Sequence, residues 1–195
     1  DGETHTLYRH RESWMADATA QARLVATSTP HTGFGTAFAD LDNDGDLDLL
    51  SANGRVRRKT DDRSPRGNYT EPDAVWRNDG NGRFEPVAAA DFTRHARSSR
   101  GLVTADFDQD GDLDVLVTHV NGPVRLFRNE TGTTNNWLTV RLIDPAQTEA
   151  GATVTVTAGS RMQRRFIVTT TGYLTSHDPV AHFGLGEYAE AIEIK

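Results

Sequence analysis

The chain has 195 residues, no cysteine and a formal net charge of −7. It therefore has neither a disulfide framework nor a thiolate metal site, and no apolar stretch approaches the roughly 18–20 residues that span a bilayer as a helix. Ten of its 28 acidic residues fall in two short strings, leaving 18 acids against 21 Lys and Arg, so neither a nucleic-acid footprint nor an acidic tail is present. The length suits one or two domains with a real core.

In chain order, Asp1-Gly2-Glu3-Thr4-His5 does not read as a signal peptide. Thr6-Leu7-Tyr8-Arg9, then Trp14 and Ala18-Thr19-Ala20-Gln21-Ala22, echo features found further on. Residues 1–32 read as the remnant of a preceding repeat and a linker. Residues 33–134 read as two repeats. Each has a small-residue, β-prone run (Gly35 to Ala39; Gly101 to Ala105), an acidic string, and a strand-length apolar run (Leu47 to Leu50; Leu113 to Val117). Each then reaches a hairpin strand, Ala74-Val75-Trp76-Arg77-Asn78 or Val124-Arg125-Leu126-Phe127-Arg128-Asn129. Asp79-Gly80-Asn81-Gly82 supplies the positive φ angles of a tight turn after the first. Residues 54–72, rich in Arg, Asp, Ser, Pro and Gly, read as a polar surface insertion.

The acidic strings are DLDNDGDLD (Asp40 to Asp48) and DFDQDGDLD (Asp106 to Asp114), 66 residues apart. Two carboxylates about 4 Å apart repel by roughly 4 kcal/mol at an effective dielectric near 20, so five in nine residues need a cation to hold the loop shut. A calcium ion takes many oxygens, and a glycine at position six permits the sharp turn such loops make. The expected ligands are the side chains of Asp40, Asp42, Asp44 and Asp48 with the carbonyl of Asp46, and of Asp106, Asp108, Asp110 and Asp114 with the carbonyl of Asp112. An EF-hand is rejected, because its position-twelve Glu is Ser51 in one copy and Val117 in the other. Magnesium, which prefers strict octahedral geometry and keeps its waters, fits less well.

From residue 135 the pattern changes. Alternation in Trp137 to Leu142 and at Val154 and Val156, a continuation in Phe166-Ile167-Val168, and a last strand from Ala191 to Ile194 predict a second all-β unit over 135–195. Arg161 to Arg165 reads as a solvated strand face, and His119 as a strand residue pointing outward. His177 and His182 flank Asp178, where a structural role outweighs zinc, which needs three or four converging ligands. Ser176-His177-Asp178 places triad residue types side by side, which is not triad geometry. Two glycosylation sequons begin at Asn68 and Asn129.

The stretches GFGTAFADLDNDGDLDLL, VWRNDGNGRFEPV and RGLVTADFDQDGDLDVLVT resemble FG-GAP/VCBS repeats, the calcium-bearing blades of integrin-type β-propellers. The tail, NNWLTVRLID, AGATVTVTAG and GYLTSHDPVAHFGLG, resembles the ASPIC/UnbV domain of the cartilage acidic protein family. The resemblance implies an all-β fold of partial propeller blades followed by a small sandwich-like domain, with two Ca²⁺ sites at the alternating Asp positions. It also implies an extracellular or periplasmic binding, scaffold or adhesion protein without established catalysis. Propellers need at least about four blades, so the expectation is a fragment, or self-association and pairing with missing blades through open strand edges. The partner would be a protein or glycan, with no nucleic acid and no membrane span. The alternative is a secreted carbohydrate-active enzyme, a lyase or hydrolase, which needs a cluster of carboxylates, His or Tyr outside the loops. The sequence displays no such constellation, and the reading is that the chain is not an enzyme.

Overall fold

The computed structural model describes residues 3–57, 69–88, 90–131, 134–143 and 151–195. The chain is all-β, built from small antiparallel sheets. A hairpin of β1 (Tyr8–Arg11) and β2 (Trp14–Asp17) comes first, followed by one helical turn, α1 (Leu24–Ser28). Four strands then form a meander in chain order: β3 (Gly33–Ala39), β4 (Asp48–Asn53), β5 (Ala74–Asn78) and β6 (Phe84–Val87). A second turn, α2 (Ala90–Arg94), leads to a three-stranded meander of β7 (Ser99–Ala105), β8 (Asp114–His119) and β9 (Arg125–Phe127). In the C-terminal unit β10 (Asn136–Arg141) pairs with β13 (Val180–Gly186). There β11 (Thr153–Ala158) lies between β12 (Arg161–Phe166) and β14 (Glu193–Ile194).

Both faces of the first sheet are covered, and β4 shows it, since all six of its residues are buried. Leu49 faces Ala22, Leu24, Trp76 and Phe84, while its neighbour Leu50 faces Leu102, Val115 and Val117 across the second sheet. Burying a side chain such as Leu50 contributes about 1.5–3 kcal/mol. The strands β3 and β7 run side by side, and the small residues Gly35, Ala37 and Ala39 are what let them do so. A Cβ on Gly35 would come within 2.7 Å of the Arg100 carbonyl. The C-terminal sheets close on a separate core of Val154, Val156, Ile167, Ala181, Phe183 and Leu185.

Several local expectations change. The strand expected over Phe166 to Val168 lies earlier and ends at Phe166. His119 does not point outward: its Nδ1 lies 3.0 Å from Ser99 Oγ. Ser99 in turn donates to Asp73 Oδ2 at 3.0 Å, and Asp73 Oδ1 accepts the Asn53 N–H at 2.7 Å. Burial raises the Asp73 carboxyl to about 6. Ser99 is fully buried and stands between the acid and the imidazole, so these residues join the two sheets and do not form a catalytic triad.

Candidate metal centres

The two acidic strings are the β3–β4 and β7–β8 connections, and they fold alike. The position-one carboxylate accepts the position-six N–H: Gly45 to Asp40 at 2.9 Å, Gly111 to Asp106 at 3.1 Å. The position-five carboxylate accepts the position-seven N–H, Asp46 to Asp44 at 2.8 Å and Asp112 to Asp110 at 3.0 Å. Position nine accepts twice. Asp48 takes the N–H groups of Leu41 (3.3 Å) and Asn78 (2.8 Å), and Asp114 those of Phe107 (3.1 Å) and Asn129 (2.8 Å). Such winding needs left-handed backbone, which Gly45 (φ 90°) and Gly111 (φ 95°) adopt without a Cβ penalty. One oxygen each from Asp40, Asp42 and Asp44 thereby gathers within 4.8 Å of the others, and the same holds for Asp106, Asp108 and Asp110.

The remaining expected ligands sit differently. The Asp46 side chain turns away to pair with Arg161, and Asp112 Oδ1 accepts Asn43 Nδ2 at 2.8 Å. One carboxylate oxygen of each is thus committed elsewhere, and the backbone carbonyl is the expected donor. Asp48 and Asp114 brace the loop against the hairpin strand through backbone N–H groups. Sequence reasoning missed the residues supplying that brace, the Arg-Asn pair ending each hairpin strand. Arg77 pairs with Asp42, while Arg128 reaches Asp108 at 2.7 Å and Asp110 at 3.4 Å. The signal was the repeated dipeptide, disguised because one copy lies 30 residues after position nine and the other 15.

Burial separates the loops. Asp40 is 1% exposed, whereas Asp108 and Asp110 are open to solvent. The first loop is covered by the C-terminal unit. Gly184 N–H donates to Asp40 Oδ2 at 3.0 Å, Gly186 N–H to the Asn43 carbonyl at 2.9 Å, and Asn135 Nδ2 to the Asp42 carbonyl at 2.8 Å. Arg161 also donates to the Asp44 carbonyl. His182 Nε2 lies 2.8 Å from Asn43 Oδ1, and burial, helped by nearby Arg165, pushes its imidazole down to about 4. The run Arg161 to Arg165 is thus not a solvated face: alternate residues Arg161, Gln163 and Arg165 turn toward the first loop, with Gln163 Nε2 on the Gly184 carbonyl at 2.6 Å. His177 pairs with Thr171 at 2.7 Å and Asp178 with Arg141 at 3.0 Å, so neither belongs to a zinc cluster.

The electrostatics follow from that cover. Burial, reinforced by Asp44, raises the Asp40 carboxyl to about 7, and burial first of all raises Asp48 to about 6. In the second loop Asp110 is held below its usual value, chiefly by the Asp112 N–H and by Arg128. Asp40 Oδ1 and Asp42 Oδ1 are buried oxygens with no hydrogen-bond partner among the described residues. A buried carboxylate oxygen left so is costly, and a hard cation is the partner whose chemistry suits it. The first loop therefore fits a metal ion on more than its composition. Of the sequons, Asn68 lies outside the described residues, and the Asn129 amide is engaged, donating to the Leu41 carbonyl at 2.7 Å. No helix among the described residues is long and apolar enough to cross a membrane.

Comparison with known proteins adds two family matches and a set of relatives. Residues 66–117 match the FG-GAP-like repeat family and residues 145–195 the ASPIC and UnbV family. Cartilage acidic protein 1 of Mus musculus is 32% identical over 173 residues, 86% of this chain and 26% of the relative. The Homo sapiens protein of that name is 33% identical over 162 residues, covering 80% of this chain and 23% of the relative. The chain thus spans about a quarter of the length of these curated relatives.

Proposed function

From the premise that the chain belongs to the FG-GAP-like and ASPIC/UnbV proteins related to cartilage acidic protein 1, we propose that it is a calcium-stabilised extracellular scaffold or recognition segment. The observation that carries the reading is the pair of unpartnered buried oxygens in the first loop, Asp40 Oδ1 and Asp42 Oδ1. Asp40, Asp42, Asp44 and Asp48 with the Asp46 carbonyl would hold one Ca²⁺. Asp106, Asp108, Asp110 and Asp114 with the Asp112 carbonyl would hold a second. The ion would supply charge neutralisation and oxygen coordination; the protein positions the carboxylates and buries the leading one, Asp40, in the first site. None of the matched families or relatives is named for a reaction. Recognition of a protein or glycan then falls to the sheet surfaces and edges. The outer edge of β9 carries no further strand among the described residues, which leaves it open to other blades of a longer chain or to a second copy.

The test is a calorimetric titration of EDTA-stripped protein with calcium and, separately, magnesium, with a melt of each end state. Calcium-specific heat and a rise of many degrees in Tm are expected, because carboxylate-built sites couple metal binding to folding. Equal responses to both ions, or none, would sink the reading.

A further inference from the structure

We propose that the first acidic loop is a latch between the repeats and the C-terminal unit, in which a bound cation and the seating of that unit stabilise each other. The inference rests on the calcium reading above and adds a partner to that site, the chain's own strands β12 and β13.

The geometry at Asp40 carries the argument. Its carboxylate has one oxygen tied by two N–H groups, Gly45 from its own loop and Gly184 from β13, at 2.9 and 3.0 Å. The other oxygen is left unpartnered, and the residue clusters with Asp42 and Asp44. The Gly184 N–H therefore fixes the orientation in which Asp40 presents a free oxygen to the cation. Only glycine permits this approach, since a Cβ at residue 184 would overlap the Asp40 carboxylate and the Asn43 backbone. A second hydrogen bond, from the Gly186 N–H to the Asn43 carbonyl, clamps the loop two residues further along β13.

Cations near a metal site oppose binding unless they engage other atoms; Arg77 of the repeat does pair with the ligand Asp42, but the two arginines that β12 brings to the loop engage other groups. Arg161 holds the Asp46 carboxylate and the Asp44 carbonyl, groups that are not in the expected ligand set. Arg165 donates to Gln163 Oε1 at 3.0 Å and lies over the Phe183 ring. The C-terminal unit thus arranges the ligands without occupying them. Lifting it would free the Asp40 carboxylate to rotate and would hydrate the site. Linkage makes the effect reciprocal: whatever seating does for the ion, the ion does for seating. Among the described residues the second loop has no equivalent lid. There the C-terminal unit contributes Trp137 at the Gly111 backbone, and no C-terminal N–H bonds to Asp106, Asp108 or Asp110 among the described residues.

The test uses the full chain. Hydrogen exchange by mass spectrometry on EDTA-stripped and calcium-loaded protein reads the Gly184 and Gly186 amides, which calcium should protect at least tenfold further. Calcium titration of Asp108→Asn, which disables the second loop, then isolates the first. Adding Gly184→Ala to that background should weaken the remaining site at least tenfold. If calcium binds but these amides exchange at the same rate with and without it, the latch is overturned and the calcium reading stands. Undiminished affinity in a folded double variant overturns the latch in the same way. If neither the wild type nor Asp108→Asn takes up calcium, both readings fall together.

Discussion

The two acidic loops share a nine-residue spacing, a left-handed turn and a set of internal hydrogen bonds, yet they end in opposite surroundings. One is roofed by strands β12 and β13, its leading carboxylate 1% exposed and raised to about 7. The other faces water, with Arg128 across its mouth and Asp110 held below its usual value. Sequence alone prescribes the turn; the neighbour prescribes the chemistry. A buried cluster of carboxylates needs a cation far more than an exposed one, because solvent screens the exposed repulsion.

The contrast breaks most plainly at position one. Asp40→Ala should cost about 3–5 kcal/mol in calcium-saturated protein, the range for breaking a buried charged network, and Asp106→Ala distinctly less, as differential scanning calorimetry of the pair would show. Equal losses would mean that the roof contributes nothing.

Metal-free protein sharpens the comparison through pH. Asp40 titrates near 7 when folded against an ordinary 3.8, so the native state binds the extra proton and stability from this group falls as pH rises from about 4 to 7. Buried histidines such as His182, lowered to about 4, slope the other way between about 4 and 6.5. The difference between wild type and Asp40→Asn isolates the carboxylate. Without calcium the wild type should lose stability relative to Asp40→Asn across that window. With calcium saturating, which needs the ionised form, the order at pH 7 should reverse. Melting temperatures in EDTA and in calcium at four or five pH values decide it.

Smaller effects are expected at the braces. Asn129→Ala removes the 2.7 Å bond to the Leu41 carbonyl, a link from the second repeat to the first loop, and should cost about 1 kcal/mol by urea unfolding. Smallest of all, Arg128→Met should tighten calcium at the second loop a few-fold with little change in Tm. Exposed ion pairs contribute little to stability, but the guanidinium competes with the ion for Asp108 and Asp110.

How much of this was legible depended on the distance over which each residue works. The turn of each loop and its clustered carboxylates could be read because they lie within nine positions and repeat. The strands beside them could be read because small and apolar residues alternate locally, as in β3. The basic strand was misread because Arg161 looks solvated until its partner is known, and that partner, the Asp44 carbonyl, lies 117 residues upstream. His119 failed for the same reason, its fate resting on Ser99 in the adjoining strand. The glycines of HFGLG carried a resemblance but not a reason. That reason is the close approach of β13 to Asp40 and Asn43, a tertiary contact across 144 residues in the case of Asp40.

The roof over Asp40 also sets a clock. Asp40 is only 1% exposed, and the C-terminal strands close that side of the loop, while Asp42 and Asp44 beside it are half-buried. An ion held as proposed should exchange more slowly at the first loop than at the second, whose Asp108 and Asp110 are open to solvent. If both loops hold calcium as proposed, a brief drop in the ion would empty the open loop before the covered one, and the lag between them would report how tightly the C-terminal strands are seated.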